Sequence, residues 1–276
     1  MGNPSGGKKY SIVMTDIARH IYVLYTYLEN HGKKRIALYG ANPDSVPDFL
    51  KKESFVSCGG NKADIYENLC SLENCFENFK DKIHMYDGVI CVNSYAAISL
   101  VRHMGNKYKK LYITSCSGTS LTDIFTPSVT CTRTNYSAFG KAGVTLARML
   151  IKNRNINSLT VKLSGEFFVG ETTDFLPYKS IESKLDLYGE KETDTFYDDC
   201  EINEMINIEK LIDSCTKEDL AIINKLLKGK KYAEIAEEHY ISENAVKYKL
   251  KNMFSECDVQ SRKEFIDLLK KYILKI

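Results

Sequence analysis

The sequence predicts an α/β module, with a mostly parallel sheet flanked by helices, followed by a small all-α domain of four helices. Between residues 10 and 155, short apolar runs alternate with amphipathic stretches, as in strands that alternate with helices. After residue 215, apolar residues recur at helical spacing. Residues 171–215, between the two regions, carry 4 Lys and Arg against 13 Asp and Glu. This block of negative charge indicates a connector between two domains.

Length and composition are typical of a globular protein with two domains. The chain has 276 residues, of which 43% are hydrophobic and 27% charged, and this composition excludes a disordered or collagenous chain. There is no run of eighteen apolar residues, and residues 1–9 are polar and glycine-rich, so neither a membrane span nor a signal peptide is predicted. We therefore expect a protein without membrane contacts that works in the cytoplasm.

Cysteines, histidines and glycines form none of the motifs that an enzyme or a metal site would need. The nine cysteines are scattered without a C-x-x-C pair, and the five histidines share no metal-binding spacing. The sequence contains no G-x-G-x-x-G or G-x-x-x-x-G-K-[ST] loop, and no pair of a nucleophile and a base can be nominated. We expect no metal ligand, no cofactor and no catalytic residue.

The front region divides into elements in a regular order. The predicted elements are a strand at 11–15, a helix at 17–30, a strand at 35–39, a helical segment at 65–83, a strand at 88–92, a helix at 96–104, a strand at 110–114 and a helix at 137–152. In a parallel sheet of this kind, ligands bind beyond the carboxyl ends of the strands.

Five phrases of the front region resemble, in the same order, the effector-binding domain of LacI/GalR-type repressors. They are KRIALYGANPDSVPDFLKKESF (34–55), YDGVICVNSYAAISLVRHMG (86–105), KKLYITSCSGTS (109–120), TPSVTCTRTNYSAFGKAGVTLARMLI (126–151) and LSGEFFVGETT (163–173). The resemblance implies a partial, periplasmic-binding-protein-like effector-binding domain over residues 1–175. Such a sensor has two lobes, and the cleft between them closes on a sugar or another small molecule.

The resemblance begins where the chain would cross from the first lobe into the second, at residues 11–16. Most of the first lobe therefore has no counterpart, and we expect a cleft with one wall. Either the reading frame is truncated or misstarted, or the protein keeps a lone lobe for another use. We favour the first interpretation.

The resemblance also implies three ligand-binding residues. Lys51 stands where the family often has an arginine that contacts sugar hydroxyls, Asn93 matches the family's ligand-binding asparagine, and Tyr136 would provide an aromatic floor for a sugar ring. Ser94 and Gly170 depart from the family's Asp and Arg. Ordinary roles stay open, because Lys51 also fits a solvated helix face, Asn93 a turn and Tyr136 a core position.

Residues 176–214 are expected to form an acidic connector that ends in an amphipathic helix. Residues 178–199 have little sustained periodicity, as in a linker. The apolar residues that follow recur at helical spacing: Ile202, Met205, Ile206, Ile208, Leu211 and Ile212. We expect this helix to dock the tail onto the front region or onto another copy of the chain.

Capping signals predict four helices in residues 215–276. Thr216 with Asp219 forms an acidic variant of the capping box, and Gly229 ends the first helix, at 217–228. A short second helix, a tight turn and a new N-cap at Ser242 follow, which is the order of a helix-turn-helix. The fourth helix supplies apolar surface for packing or dimerisation.

The third helix of the tail has two contrasting faces. Its apolar stripe should pack on the first two helices and comprises Val246, Leu250, Met253, Phe254 and Cys257. The opposite stripe comprises Asn244, Lys247, Tyr248, Lys251 and Ser255. It carries hydrogen-bond donors without a carboxylate, which suits a major groove, because lysines bind phosphates or guanine and an asparagine amide pairs with adenine. The predicted DNA-binding residues are Ser242, Asn244, Lys247, Tyr248 and Lys251.

The tail resembles the LuxR-type helix-turn-helix over about 55 residues without a gap. The phrases that carry the resemblance are T-x-E-D-x-A-I-I, AEIAEEHYISENAVKYKL and CDVQSRKEF. It implies that Lys247, Tyr248 and Lys251 meet base edges and the backbone of DNA. Glu218, which replaces a customary arginine, and the pair Tyr248 and Lys249 depart from the family pattern. These departures concern which operator is bound.

These observations predict a bacterial-type transcriptional regulator with domains at 1–175, 176–214 and 215–276. Its predicted partners are double-stranded DNA and a sugar-like effector. Residues 216–276 carry 13 Lys and Arg against 10 Asp and Glu, a net charge of +3, so a single copy would bind DNA weakly and a homodimer is expected. An alternative is a small-molecule sensor whose tail serves mainly protein association.

Overall fold

The α/β class predicted for the front region is confirmed by the computed structural model, which describes residues 10–173 and 199–272. The strands are Ile12–Thr15 (β1), Ile36–Ala41 (β2), Ile65–Glu67 (β3), Gly88–Cys91 (β4), Tyr112–Ser115 (β5), Thr130–Arg133 (β6), Thr160–Leu163 (β7) and Glu166–Phe168 (β8). The helices among them are Ile17–Asn30 (α1), Val46–Ser57 (α2), Leu72–Lys80 (α3), Ser94–Met104 (α4), Ser120–Ile124 (α5) and Tyr136–Lys152 (α6).

A six-stranded sheet forms the centre of the front region, in the order β3-β2-β4-β5-β6-β8. The first five strands are parallel, and β8 pairs antiparallel to β6. Every residue of β2 and β4 is buried. These two strands therefore have helices on both faces, which explains why their sequences are continuous apolar runs.

A second, smaller unit of the front region consists of β1, β7 and α6. The strands β1 and β7 pair in parallel, apart from the main sheet, and contact α6. The chain passes between this unit and the main sheet at residues 16, 134–135 and 164–165. Of the described side chains of α6, Leu146 alone is buried, whereas Val144, Met149 and Ile151 are 53%, 45% and 76% exposed.

The predicted helical segment at 65–83 is wrong in its first part. Ile65–Glu67 is a strand that pairs with β2, and the helix begins at Leu72 after its N-cap Ser71. No glycine or proline lies in this stretch, and pairing with the sheet decides the conformation of residues 65–67. A similar shift moves the strand predicted at 110–114 to Tyr112–Ser115, since a 3-10 helix occupies Gly105–Lys110.

The second described range is helical throughout its regular elements, as predicted. Its helices are Cys200–Ser214 (α7), Lys217–Leu227 (α8), Tyr232–Glu238 (α9), Glu243–Glu256 (α10) and Arg262–Tyr272 (α11). The capping box at Thr216 and Asp219 is present, Gly229 adopts a φ of 83° after α8, and Ser242 caps α10 by accepting from the amide of Ala245. Residues 174–198, which include most of the linker predicted at 178–199, lie outside the described residues.

Helix α7 docks the tail onto the front region, which confirms one of the two expected dockings. Its buried residues are Ile202, Met205, Ile208 and Leu211. It contacts α4 and α5 of the front region and α10 and α11 of the tail. The helix therefore lies between the two domains and belongs to both cores.

Candidate functional site

The first candidate site is the exposed face of α10. Val246, Leu250 and Met253 are buried against the other helices of the tail. Since these residues recur every three or four positions, the opposite face of α10 must point outward. Side-chain burial thus fixes the orientation of the helix, and its N-cap fixes where it begins.

All five predicted DNA-binding residues lie together on this outward face and its N-terminal cap. Ser242, Asn244, Lys247, Tyr248 and Lys251 are each exposed. The side chain of Tyr248 is 68% exposed, although it is large and aromatic. No described part of the chain covers the face, so a duplex could approach it without rearrangement of the described residues.

The two lysines of this face differ in their partners. The ammonium of Lys247 lies 2.8 Å from the carboxylate of Glu243, one turn earlier, and both side chains are about half exposed. Such exposed pairs are weak, because water and salt screen them. The ammonium of Lys251 makes no ion pair with any described residue. Both lysines are therefore available to phosphates.

Lys249 has a structural role that its sequence position did not suggest. Its ammonium lies 2.8 Å from Asp219, the acidic member of the capping box of α8. Burial raises the pKa of Asp219, but hydrogen bonds from Lys249 and Thr216 outweigh this effect and hold the pKa below its ordinary value. The pair joins α10 to α8 and leaves Lys249 turned away from the exposed face.

Tyr240 is a surface feature that sequence reasoning missed. It occupies the turn between α9 and α10, with a φ of 55°, and its side chain is 96% exposed. Left-handed backbone is uncommon for any residue other than glycine, asparagine or aspartate. The tight turn was predicted, but the residue that adopts the left-handed conformation could not be identified from spacing alone.

The second candidate site is a cleft at the carboxyl ends of the main-sheet strands. A cavity of about 230 Å³ opens between β1 and the segments that follow β2, β5 and β6. Its lining includes Lys51, Cys116, Ser117 and Thr134, together with the residues of β1. The smaller unit therefore supplies a second wall, in the form of β1, where the sequence had suggested a cleft with one wall.

Of the three predicted ligand-binding residues, Lys51 lines this cavity. Its ammonium lies 2.7 Å from the carboxylate of Asp48, which is buried and also accepts from the amide of Asn42. This network holds the lysine stem in place at the cavity wall. Lys51 can thus present a positioned donor to a ligand oxygen.

Asn93 and Tyr136 do not line the cavity. Asn93 is the N-cap of α4 and accepts from the amide of Ala96 at 2.9 Å, a structural role different from the turn that its position had suggested. Tyr136 begins α6, and burial raises the pKa of its hydroxyl, with a further contribution from the negative charge of Glu209. The Tyr136 hydroxyl therefore lies near Glu209 of α7.

His20 is a cavity-lining residue that the sequence analysis did not single out. It is 5% exposed, and its Nδ1 lies 3.2 Å from the Cys116 carbonyl oxygen and 3.0 Å from the Thr132 hydroxyl. Because a carbonyl only accepts, the Nδ1 proton is directed there, and Nε2 is left as an acceptor. Nε2 is buried without a partner among the described residues. Burial lowers the pKa of His20, so the ring is neutral.

Helix α7 carries three acidic residues that bond to both domains. Glu201 accepts from Ser99 at 2.9 Å and forms an ion pair with Arg102. Glu209 accepts from the Tyr95 hydroxyl at 2.7 Å. Burial raises the pKa of Glu209, and the hydrogen bond from Tyr95 opposes this shift. These bonds connect α4 to the helix that precedes the tail.

On the tail side, Glu204 of α7 bonds to the last described helix. It accepts from the Tyr272 hydroxyl at 2.6 Å and pairs with Lys271. The guanidinium of Arg102 lies 4.6 Å from the ring centre of Tyr272, so one arginine contacts both α7 and α11.

Across residues 10–173 and 199–272, none of the helices has the length and hydropathy that a membrane span requires.

Comparison with known protein families identifies the tail. Residues 213–269 match the family model described as bacterial regulatory proteins, luxR family. The tail is a LuxR-type helix-turn-helix domain. A comparison with curated protein sequences finds no significant match.

Three solved structures that resemble the front region are described as transcription regulators. A transcription regulator from Lactobacillus plantarum has a TM-score of 0.53 at 19% identity, and the match covers 64% of this chain and 71% of that chain. The transcriptional regulator CelR in complex with cellobiose has a TM-score of 0.52 at 15% identity, covering 62% and 57%. A LacI family regulator from Enterococcus faecalis V583 with bound ribose has a TM-score of 0.51 at 15% identity, covering 62% and 67%.

These matches show that the front region has the fold of LacI-family sensor domains. The match to CelR spans 57% of the length of that protein.

Proposed function

We propose that this chain is a transcriptional regulator of the cytoplasm that binds double-stranded DNA through α10 and a small effector through the cleft of its front region. The proposed domains are an effector-binding domain at 1–175, a connector at 176–214 and a DNA-binding domain at 215–276. Both candidate sites are suited to binding, and neither has the arrangement of groups that catalysis needs. A regulator is therefore favoured over an enzyme.

The observation that carries the DNA-binding proposal is the outward, uncovered face of α10. Its donors come from Ser242, Asn244, Lys247, Tyr248 and Lys251, and each of these residues is exposed. Lysines on such a face release counterions when they contact phosphates, so the affinity for DNA depends steeply on salt. The match of the tail to a family of bacterial regulatory proteins supports the same interpretation.

The direct test measures binding of the full chain to a fluorescently labelled DNA duplex of random sequence. Fluorescence anisotropy gives the affinity at several salt concentrations. Lys251→Ala should weaken binding and reduce the slope of log K against log salt by about 1, because one phosphate contact is lost. Lys152→Ala is the matched control, since Lys152 is an exposed lysine of α6 in the other domain. Equal slopes for the two variants would contradict the assignment of α10. Absence of any duplex binding would favour the alternative, a sensor with an associating tail.

The effector proposal is supported by the cleft and by the positioned ammonium of Lys51. Its partner Asp48 is buried, so the lysine is held at the wall before any ligand arrives. Calorimetry with hexoses, pentoses and nucleosides tests the proposal, and Lys51→Met should abolish the binding heat of any sugar that the wild type binds. Lys52→Met is the control, because Lys52 pairs with Glu67 outside the cavity. Loss of binding in both variants would indicate general damage.

Asn93 and Tyr136 remain proposed ligand contacts at the same edge of the sheet. Asn93→Ser keeps an N-cap oxygen for α4, since serine caps helices about as well as asparagine. A variant that folds normally but loses sugar binding would therefore assign Asn93 to the ligand. Tyr136→Ala removes the ring that would form the floor under a sugar, and unchanged sugar affinity would exclude that role.

Helix α7 is the proposed connection between the two sites. Glu209 accepts from Tyr95 on α4, and Glu204 bonds to Tyr272 in the tail. A ligand that moves α4 would change the bonds that hold the tail. Tyr95→Phe removes one hydroxyl and should leave DNA binding intact while reducing its response to the effector.

A homodimer is the proposed binding form. A net charge of +3 over residues 216–276 neutralises few phosphates, and two copies on two half-sites would double the contacts. Analytical ultracentrifugation of the full chain on a duplex should give two chains per duplex. A single chain per duplex at saturation would contradict this.

A further inference from the structure

A further cavity in the front region lies away from the cleft. It measures about 670 Å³, whereas the cleft cavity measures about 230 Å³. The cleft lies beyond the carboxyl ends of the strands. This second cavity lies at the opposite edge, where β4 and β5 begin, between α3 and the C-terminal end of α4.

The floor of the cavity is apolar. Its apolar lining residues are Phe76, Ile83, Met104 and Leu111. The ring of His103 stacks on that of Phe76, with centroids 4.9 Å apart and planes inclined by 23°. A floor of this kind favours the apolar body of a ligand, because its burial removes hydrocarbon from water.

The rim of the cavity is basic. Its titratable lining residues, apart from Tyr86, are Lys80, His84, His103, Lys107 and Lys110, and no Asp or Glu occurs among the lining residues that the structure describes. Lys80 pairs with Glu77 on α3. Lys107 and Lys110, on the 3-10 helix after α4, have no ion-pair partner within the described part of the chain. Their charges are uncompensated at the mouth of an apolar cavity.

His103 adds a positioned polar group to this rim. Its Nδ1 lies 2.9 Å from the Ser99 carbonyl oxygen and so donates its proton there. Its Nε2 has no hydrogen bond to any residue in the described ranges. This bond and the stack on Phe76 fix the orientation of the ring.

We propose that this cavity is a binding site for a small amphiphilic anion, a carboxylate or phosphate monoester with an alkyl or aryl body. The apolar body lies on the floor near Phe76 and Met104, and the anionic head contacts Lys107 and Lys110. The concave apolar floor distinguishes such a ligand from a DNA backbone, which would cover the lysines and leave the floor wet. It also distinguishes the ligand from inorganic phosphate, which cannot fill the floor.

Calorimetric titration of the full chain with octanoate, octyl phosphate, 1-octanol and octylammonium tests the head and the body separately. We expect saturable binding of at least one of the two anions, at least about tenfold weaker binding of octanol and no binding of octylammonium, because charge-assisted hydrogen bonds carry part of the affinity. Octanol that binds as tightly as the anions, or no saturable binding of either anion, would overturn the proposal.

Charge reversal locates the site. Lys107→Glu and Lys110→Glu should each weaken binding of the anion by about tenfold or more, since each replaces an attraction by a repulsion. Lys109→Glu is the matched control, because it makes the same charge change on the same 3-10 helix but lies outside the lining, and it should alter the affinity less than about threefold. These lysines are exposed, so the variants should fold, which thermal unfolding verifies. Equal affinities in all three variants would overturn the assignment.

Discussion

Replacement of Tyr240 by asparagine should stabilise the DNA-binding domain. The backbone of Tyr240 has a φ of 55°, and its side chain is 96% exposed. Left-handed backbone costs a residue with a Cβ about 1–2 kcal/mol, and so exposed a side chain gains no packing that would offset this cost. At two other helix ends of the domain, Gly229 and Asp258 also adopt left-handed backbone, with φ of 83° and 53°. Glycine and aspartate tolerate this conformation better than tyrosine does.

Three substitutions at Tyr240 separate backbone strain from side-chain contacts. Asparagine should gain about 0.5–1 kcal/mol, because its short polar side chain relieves part of the strain. Glycine removes the strain but adds about 0.4–1 kcal/mol of unfolded-state entropy, so its gain should be smaller. Alanine keeps the Cβ and loses only an exposed ring, and the change should stay within about 0.5 kcal/mol.

The suitable assay is native-state hydrogen exchange of the amides of α9 and α10 in the full chain. It reports the free energy of opening of this region, whereas bulk unfolding of a two-domain chain is not a two-state process. An asparagine variant no more stable than the wild type would refute the strain argument. An alanine variant destabilised by more than about 1 kcal/mol would show that the tyrosine ring makes stabilising contacts.

Four further predictions concern other positions. Lys249→Ala should lower the free energy of unfolding by about 0.5–1 kcal/mol at neutral pH. Because the pKa of Asp219 is lowered in the folded chain, this loss should shrink as the pH falls through that lowered pKa. Acid unfolding curves of the wild type and the variant would measure the difference. Glu209→Gln should stabilise the chain at a pH above the raised pKa of Glu209, where the buried carboxylate is charged. The gain should vanish as the pH falls below the ordinary pKa of a glutamate side chain. Equal melting temperatures of the wild type and the variant at neutral pH would contradict this. Gly165→Ala should destabilise by about 1–3 kcal/mol, since its Cβ would lie 2.4 Å from the imidazole of His20 and 2.5 Å from a backbone oxygen. Gly140→Ala in α6, with nothing within 4 Å of its Cβ, should stabilise by about 0.5–1 kcal/mol, and thermal melts compare the two.

The elements that could be predicted from sequence are those defined by local signals. The caps at Thr216 and Ser242 lie next to the helices that they begin, and each side-chain oxygen accepts an amide three residues later. The two faces of α10 follow from helical periodicity over fourteen residues. For the same reason, all five predicted DNA-binding residues lie on one surface, although their contacts with DNA remain a prediction.

The features that could not be predicted depend on contacts between distant segments. Ile65–Glu67 is a strand because β2 offers it an edge, and nothing nearby in the sequence marks that edge. His20 is held at the cleft by bonds to Cys116 and Thr132. These partners lie about a hundred residues further along the chain, so no local pattern indicates the position of His20. Lys51 was selected by resemblance and does line the cleft, whereas Asn93 caps a helix because a local hydrogen bond satisfies it.

The position of α7 also has a consequence for biosynthesis. Arg102 is paired with Glu201, 99 residues later, so this flank of α4 stays uncovered while the ribosome makes the intervening chain. At about 5–20 residues per second, the wait lasts about 5–20 s. During this time Ser99 and Arg102 have no partner on α7, and a nascent chain is then most exposed to chaperones and proteases. Fragments of the front region that stop before residue 200 would retain this unfinished surface permanently.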